Sequence, residues 1–286
     1  MGVVINTNIS SISAARNLAT TRADLERSME RLSSGKRING AKDDAAGMSV
    51  VTRMKAQISS LNQAVRNAND GISLVSTFDG AADEIEDILI RMRELATLAQ
   101  NGTYTTSDAA NAELEFDALK SEINRIQSKT KFNGSLDIAT TAGSQTYSFQ
   151  VGFNGGDAVS ISLGQLNVQG LKDTASGTAI AGIAGATQAN SIEDASSTVT
   201  DIDRMLTNLN LHRATAGAVV NRLEHTVSNL MNVVQRTEEA RSRIEDADFA
   251  AESAAMARAN VLVQAGSAML AQANQSPQFV LALLRN

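Results

Sequence analysis

From Ile58 to Ala99 an apolar residue returns every three or four positions: Leu61, Val65, Ala68, Ile72, Val75, Phe78, Ala82, Ile85, Leu89 and Met92 lead to Ala96 and Ala99. At 3.6 residues per turn that spacing puts every one of these side chains on one side of an α-helix. A stripe sustained this far is a coiled-coil seam and predicts a single long helix. A second seam joins Ile192, Ala195, Val199, Ile202, Leu206, Leu209, Ala216, Val220, Leu223, Val227, Leu230 and Val234, with Arg213 as its one polar intruder. At ~1.5 Å rise per residue each helix would be roughly 65–85 Å long. A compact chain of 286 residues would be only about 50 Å across, so the seams predict a mainly α, elongated rod.

The rest of the chain is read against those two helices. "TTSDAANAELEFDALKSEINRIQSKT" predicts a shorter return helix, capped by Thr106, Ser107 or Asp108 and burying Ala112, Phe116, Leu119, Ile123 and Ile126. The period then becomes two. Tyr147, Phe149, Val151 and Phe153 alternate, "NGGD" turns, and Val159, Ile161 and Leu163 alternate again, which predicts a β-hairpin. Residues 165–190 are rich in Gly, Ala, Thr and Ser and read as a loop at the tip.

Both ends carry stripes of their own. Ile5, Ile9 and Ile12 lead into Leu18, Leu25 and Leu32, and near the other end Met256, Val263 and Leu270 repeat by sevens. The chain closes on "FVLALLRN", which includes Leu281 and Leu284. Apolar ends are a liability in an isolated chain, so these stripes need each other or a partner. The divisions that follow are a terminal helix and joint at 1–42, a long-helix, return-helix and hairpin part at 43–190, a second long helix at 191–240, and a joint and terminal helix at 241–286.

Little in the sequence points to catalysis or a cofactor. "RLSSGKRINGAKDDAAG" has the look of a phosphate loop with paired acids, but Glu30 stands where the pattern needs its first glycine, and Arg37 where it needs Ser or Thr. It reads instead as a joint: Gly35 stops one helix, Arg37 and Gly40 lie in a turn, and Asp43 or Asp44 caps the next helix. The two histidines, His212 and His225, lack metal-site spacing, and there is no cysteine for a thiolate or a disulfide. No serine lies in a nucleophile elbow. A formal net charge of −6 with interleaved signs argues against nucleic acid. Glu252, Arg258, Gln264 and Gln272 interrupt the Ala-rich stretch near the end, so no membrane insertion is expected. The first thirty residues lack the order of a secretory signal.

With one proline, no tryptophan and 3% aromatic residues, the core has to be aliphatic and closely packed. Gly47, Gly71, Gly80, Gly217 and Gly266 fall inside helical patterns, where each costs ~1 kcal/mol relative to alanine. Such a cost suggests close approach of neighbouring helices.

Seven stretches together carry a resemblance: "INTNISSISAARNL", "RLSSGKRINGAKDDAAG", "NANDGISLVSTFDGAADEI", "IRMRELATLAQNGT", "FNG", "RSRIEDADFAAE" and "QANQSPQFVLALLR". In this order they resemble bacterial flagellin, the subunit of the flagellar filament. The resemblance implies a hairpin of the whole chain, with both termini paired in an inner coiled coil and little or no outer domain. It implies a secreted subunit that leaves unfolded through the flagellar type III system and polymerises into the extracellular filament for motility. Its implied partners are itself, the flagellar cap and hook-associated proteins, an export chaperone at Val280, Leu281, Leu283 and Leu284, and a host Toll-like receptor at Arg91, Leu95 and Glu115. A hook–filament junction protein of the same superfamily is the nearest alternative reading. A cytosolic coiled-coil scaffold would explain the seams but not the terminal motifs.

Overall fold

A computed structural model of the chain describes residues 8–101, 103, 105–134, 136–137, 145–163 and 191–284. Ile5 and the loop expected at 165–190 lie outside these residues, and Ile192, Ala195, Val280, Leu281, Leu283 and Leu284 lie outside the described side chains. The fold is mainly α. Five helices appear among the described residues, α1 (Ile9–Ser34), α2 (Ala45–Ala99), α3 (Thr106–Lys129), α4 (Ser191–Glu245) and α5 (Phe249–Leu284). Two small antiparallel sheets accompany them: β1 (Lys131–Phe132) with β2 (Leu136–Asp137), and β3 (Gln145–Gln150) with β4 (Ala158–Leu163). Contacts gather into two units, one of residues 59–234 and one of residues 1–58 with 235–286.

Both seams fall on long helices. At 55 residues each, α2 and α4 span about 82 Å at the standard rise. In the unit of residues 59–234 the first seam is the centre of the core. Ala68, Phe78, Ala82, Ile85, Leu89, Met92 and Ala96 are fully enclosed, and Ile202, Leu209 and Leu223 of α4 pack into the same cluster. From α3, Phe116 and Ile123 complete it. A smaller cluster joins Leu61 and Ala64 to Leu230.

The start of α3 differs from the expectation in one detail. The cap is Thr105, and Asp108 is its partner rather than the cap itself. The Asp108 amide donates to the Thr105 hydroxyl, and the Thr105 amide donates to the Asp108 carboxylate at 3.1 Å, which makes a capping box. The Thr105 hydroxyl also donates to the Asp108 carboxylate at 2.7 Å, and that bond first, with the one from the Thr105 amide second, holds the carboxyl below its ordinary value.

The hairpin forms where alternation predicted it, with Tyr147 opposite Ile161 and Phe149 opposite Val159. Its first strand ends at Gln150, earlier than expected. Phe153 stands in the turn and is exposed, because Asp157 folds back there and the Val151 amide donates to its carbonyl. Phe149 lies against α2 at Gly71, where an added Cβ would meet Phe149 at 3.4 Å and Leu223 at 3.2 Å. Asn67 Nδ2 donates to the Gln150 carbonyl at 2.9 Å and pins the strand end to α2. The short β1–β2 pair was not anticipated. Asn133 and Gly134, with φ of 53° and 74°, turn the chain between its strands, a conformation that Asn and Gly adopt most readily.

In the other unit α1 packs along α5. The α1 cap ties the two helices together at one end: Asn8 accepts the Ser11 amide and donates from Nδ2 to the Ala273 carbonyl at 2.7 Å, and Ser11 Oγ lies 2.6 Å from Asn274 Oδ1. Midway, Gly266 of α5 brings its backbone close to Leu18, whose Cδ1 would lie 3.2 Å from an added Cβ.

Candidate functional site

The segment between α1 and α2 is a helix stop and a helix start. Gly35 caps α1 in the left-handed conformation with φ 69°. Asp44 precedes α2, accepts the Gly47 amide on Oδ1 at 2.8 Å, and accepts the Met48 amide on its carbonyl. Asp43 has a different task. Its Oδ2 accepts the amides of Asn39 and Gly40, both at 3.1 Å, and closes the turn. Those two backbone donors hold the Asp43 carboxyl below its ordinary value. Gly47 suits this arrangement, since a Cβ there would push the Asp44 carboxylate and the end of the Ile38 side chain aside.

The joint is stitched to the chain segment after α4. The Arg37 amide donates to the Glu245 carbonyl at 2.7 Å and the Ala247 amide to the Gly35 carbonyl at 3.0 Å, around an antiparallel bridge between Lys36 and Asp246. Arg37 Nη2 reaches the Ile244 carbonyl at 2.7 Å. At the centre is the Glu245 carboxylate, only 5% exposed, with Lys55 Nζ at 2.6 Å and Lys36 Nζ at 3.1 Å on one oxygen. Arg241 Nε lies 3.7 Å from the other. Burial pushes this carboxyl up, but the bonds from Lys55 and Lys36 together outweigh it and hold it below its ordinary value. One carboxylate therefore fastens α2, the joint and the end of α4 within this unit.

The α1–α5 pair is the unusual surface. Its buried interior is thin: Leu18, Ser28 and Ala259 are enclosed, while Leu25, Leu32, Met256, Val263 and Leu270 are half-buried. Ile9 and Ile12 are 69% and 61% exposed, and Met29, Phe249, Val261, Leu262 and Met269 are exposed too. Ile9, Leu18, Leu262 and Met269 line an apolar groove between the two helices. The heptad stripes are wider than one partner helix can cover. Here α1 and α5 meet along one line, so the flanking positions stay bare. Arg31 and Glu252 form a loose cross-helix pair at 3.5 Å.

Arg91, Leu95 and Glu115 lie together on α2 and α3. Arg91 Nε meets Glu115 at 2.8 Å and Arg91 Nη1 meets Glu94 at 2.8 Å, all well exposed, whereas Leu95 is buried beneath them. Glu115 first, then Glu94, holds the guanidinium above its ordinary value.

Two features escaped the sequence reading. Arg213 stood out only as a break in the second seam, yet it grips Asp79 at 2.9 Å, Asp83 at 3.0 Å and also Glu86. The acids at steps of four and three along α2 were the available signal, because that spacing puts them on one face. Glu245 had no such signal, since its two lysines are 190 and 209 positions away in sequence. Of the five helix glycines, Gly47, Gly71 and Gly266 do face close neighbours, and Gly80 and Gly217 face open space.

Among the described residues no group of His, Cys, Asp or Glu could hold a metal ion, and no helix is long and apolar enough to cross a membrane. The surface chemistry is that of helices with unpaired apolar flanks. Family comparison agrees with this picture. Residues 5–139 match the bacterial flagellin N-terminal helical region and residues 199–284 the C-terminal helical region. A flagellin from Halalkalibacterium halodurans is 42% identical over 99% of this chain and 100% of its own length. One from Bacillus subtilis is 37% identical, covering 98% of this chain and 99% of its own. In fold, the chain is similar to a Vibrio parahaemolyticus structure of a flagellar hook-associated protein, with a TM-score of 0.60 at 14% identity, over 71% of this chain and 100% of that one. With sequence likeness running end to end and matching both helical regions, the chain belongs to the bacterial flagellin family.

Proposed function

We propose that the chain is a structural subunit that polymerises into the bacterial flagellar filament, with α1 and α5 as its main assembly surface. The observation that carries this reading is the row of exposed apolar side chains on those helices, from Ile9 and Ile12 to Val261, Leu262 and Met269. Burying a fully exposed side chain of this size contributes roughly 1.5–3 kcal/mol, and the part of each still in water contributes its share, so covering the row with further copies is favoured. Segments 1–42 and 241–286 carry the subunit contacts, and residues 59–234 hold the self-closed core. Family membership supports secretion to the extracellular filament, unfolded export, and contact with the cap, the hook-associated proteins and an export chaperone.

Electron microscopy of the purified, seeded chain tests the reading: long tubular filaments are expected, and a persistent monomer or dimer would refute it. A chain lacking residues 251–286 is expected to keep the folded 59–234 unit and to lose polymerisation, and filaments from that truncation would overturn the assigned surface. For Toll-like receptor recognition, the exposed Arg91–Glu115 pair supports a polar contact at that place. The Arg91→Ala monomer is expected to signal less, and unchanged signalling would remove the assignment.

A further inference from the structure

The chain holds nine methionines and neither cysteine nor tryptophan, so its thioethers are the side chains a mild two-electron oxidant attacks first. Among the described residues their exposure is graded: Met92 and Met205 are sealed in the core at 0% and 3%, Met54 and Met256 are half-buried, and Met29, Met48, Met231 and Met269 are open at 51%, 40%, 58% and 61%. Two of the open ones lie on the terminal helices, Met29 on α1 and Met269 on α5, and Met269 lines the apolar groove with Ile9, Leu18 and Leu262.

We propose that Met29 and Met269, which lie toward opposite ends of the α1–α5 pair, are two separate oxidation-sensitive positions on the unassembled subunit, at which a peroxide switches off self-association. The inference rests on the assembly surface proposed above. In the reaction the thioether sulfur attacks one peroxide oxygen, the S–O bond forms as the O–O bond breaks, and the departing hydroxide takes the remaining proton as water. Sulfur is oxidised to the sulfoxide and the peroxide is reduced. A sulfoxide replaces a soft apolar group with a strong polar acceptor. Placed in an interface without a donor, that acceptor loses its water and gains nothing in return. Once a subunit is assembled, its neighbours cover the same sulfurs, so the switch acts before polymerisation and not after it.

The test uses the full chain treated with hydrogen peroxide, before or after seeded polymerisation, followed by peptide mass spectrometry and electron microscopy. Before assembly, sulfoxide is expected at Met29 and Met269 with Met92 and Met205 spared, together with at least a tenfold fall in polymerisation rate. Methionine sulfoxide reductases should restore that rate, and in a Met29→Leu, Met269→Leu chain, which keeps the other seven methionines, peroxide should no longer change whatever polymerisation rate the variant has. After assembly, Met29 and Met269 should be protected. Equal oxidation of core and terminal methionines, or full polymerisation by an oxidised chain, overturns the proposal. If the untreated chain forms no filaments, the assembly reading fails, and oxidation of the terminal pair no faster than the core pair then overturns the proposed sensitivity on its own.

Discussion

The two units of this chain use the same heptad-like patterning to opposite ends. In residues 59–234 the stripes of α2, α3 and α4 close on one another, and Phe78, Ile85, Leu89, Met92, Phe116 and Leu209 lose all contact with water. Among the described side chains of the α1–α5 pair, only Leu18, Ser28 and Ala259 are enclosed, and the flanking stripes face outward. Three helices and a hairpin surround a core, while two helices share only a line. The first unit can meet its conformational entropy cost from its own burial; the second leaves much of its apolar surface for another molecule to cover.

The largest expected effect lies in the closed unit. Phe78→Ala empties the middle of the core and should destabilise it by about 3–5 kcal/mol, read as a lowered denaturation midpoint of that unit. A loss below about 1 kcal/mol would mean that this core is looser than its burial indicates.

Arg213→Ala comes next. It strips Asp79, Asp83 and Glu86 of their shared cation and leaves three carboxylates along one helix face. Hydrogen bonds to charged groups are worth about 1.5–3 kcal/mol, and solvent screening lowers that for exposed pairs. With Arg213 partly exposed and Asp83 largely so, the lower half of that range is expected. Arg213→Lys should recover only part of it, because one ammonium cannot reach three carboxylates in fork geometry. Full recovery would argue for simple charge balance.

Glu245→Gln tests the joint. Lys36 and Lys55 would keep a neutral acceptor, so a loss of about 1 kcal/mol is expected, confined to the unit that holds α1 and α5. The sign of the pH dependence follows from the lowered carboxyl. Its contribution is fully present above the ordinary glutamate value and is lost as pH falls through the folded one, when the proton displaces the lysines. Melts of wild type and Glu245→Gln should therefore converge on acidification below about pH 4. Parallel curves throughout would show that the carboxylate is not the linked group.

Glycine substitutions give the smallest effects and the finest contrast. Gly217→Ala faces open space and should stabilise α4 by up to about 1 kcal/mol. Gly71→Ala crowds Leu223 and Phe149 and should be neutral or mildly destabilising. Equal gains at both sites, measured by urea midpoints, would show that the helix–hairpin contact yields without cost.

Much of this architecture was legible in one dimension. The seams of α2 and α4 could be traced residue by residue because helical spacing is a local property, and the stop at Gly35 and the start near Asp44 follow from capping rules that involve only a few neighbouring residues. The hairpin was legible for the same reason, although its end at Gln150 was not, since Asp157 rather than the alternation decides where the turn begins. Thr105 was missed as a cap because three plausible cap residues follow it directly.

What the sequence by itself determined is the set of helices, their apolar faces, and the need of the terminal stripes for each other or a partner. Only the tertiary structure decided which acid meets which base: Glu245 with Lys36 and Lys55, and Arg213 with three carboxylates of α2. It alone decided which helix glycines have neighbours, and which members of the terminal stripes turn inward, Leu18 among them, while Ile9 and Ile12 stay bare. The physical reason is range. Helix formation and amphipathicity are written within a few turns of chain, whereas a buried ion pair or a packed seam depends on groups brought together from some two hundred residues apart.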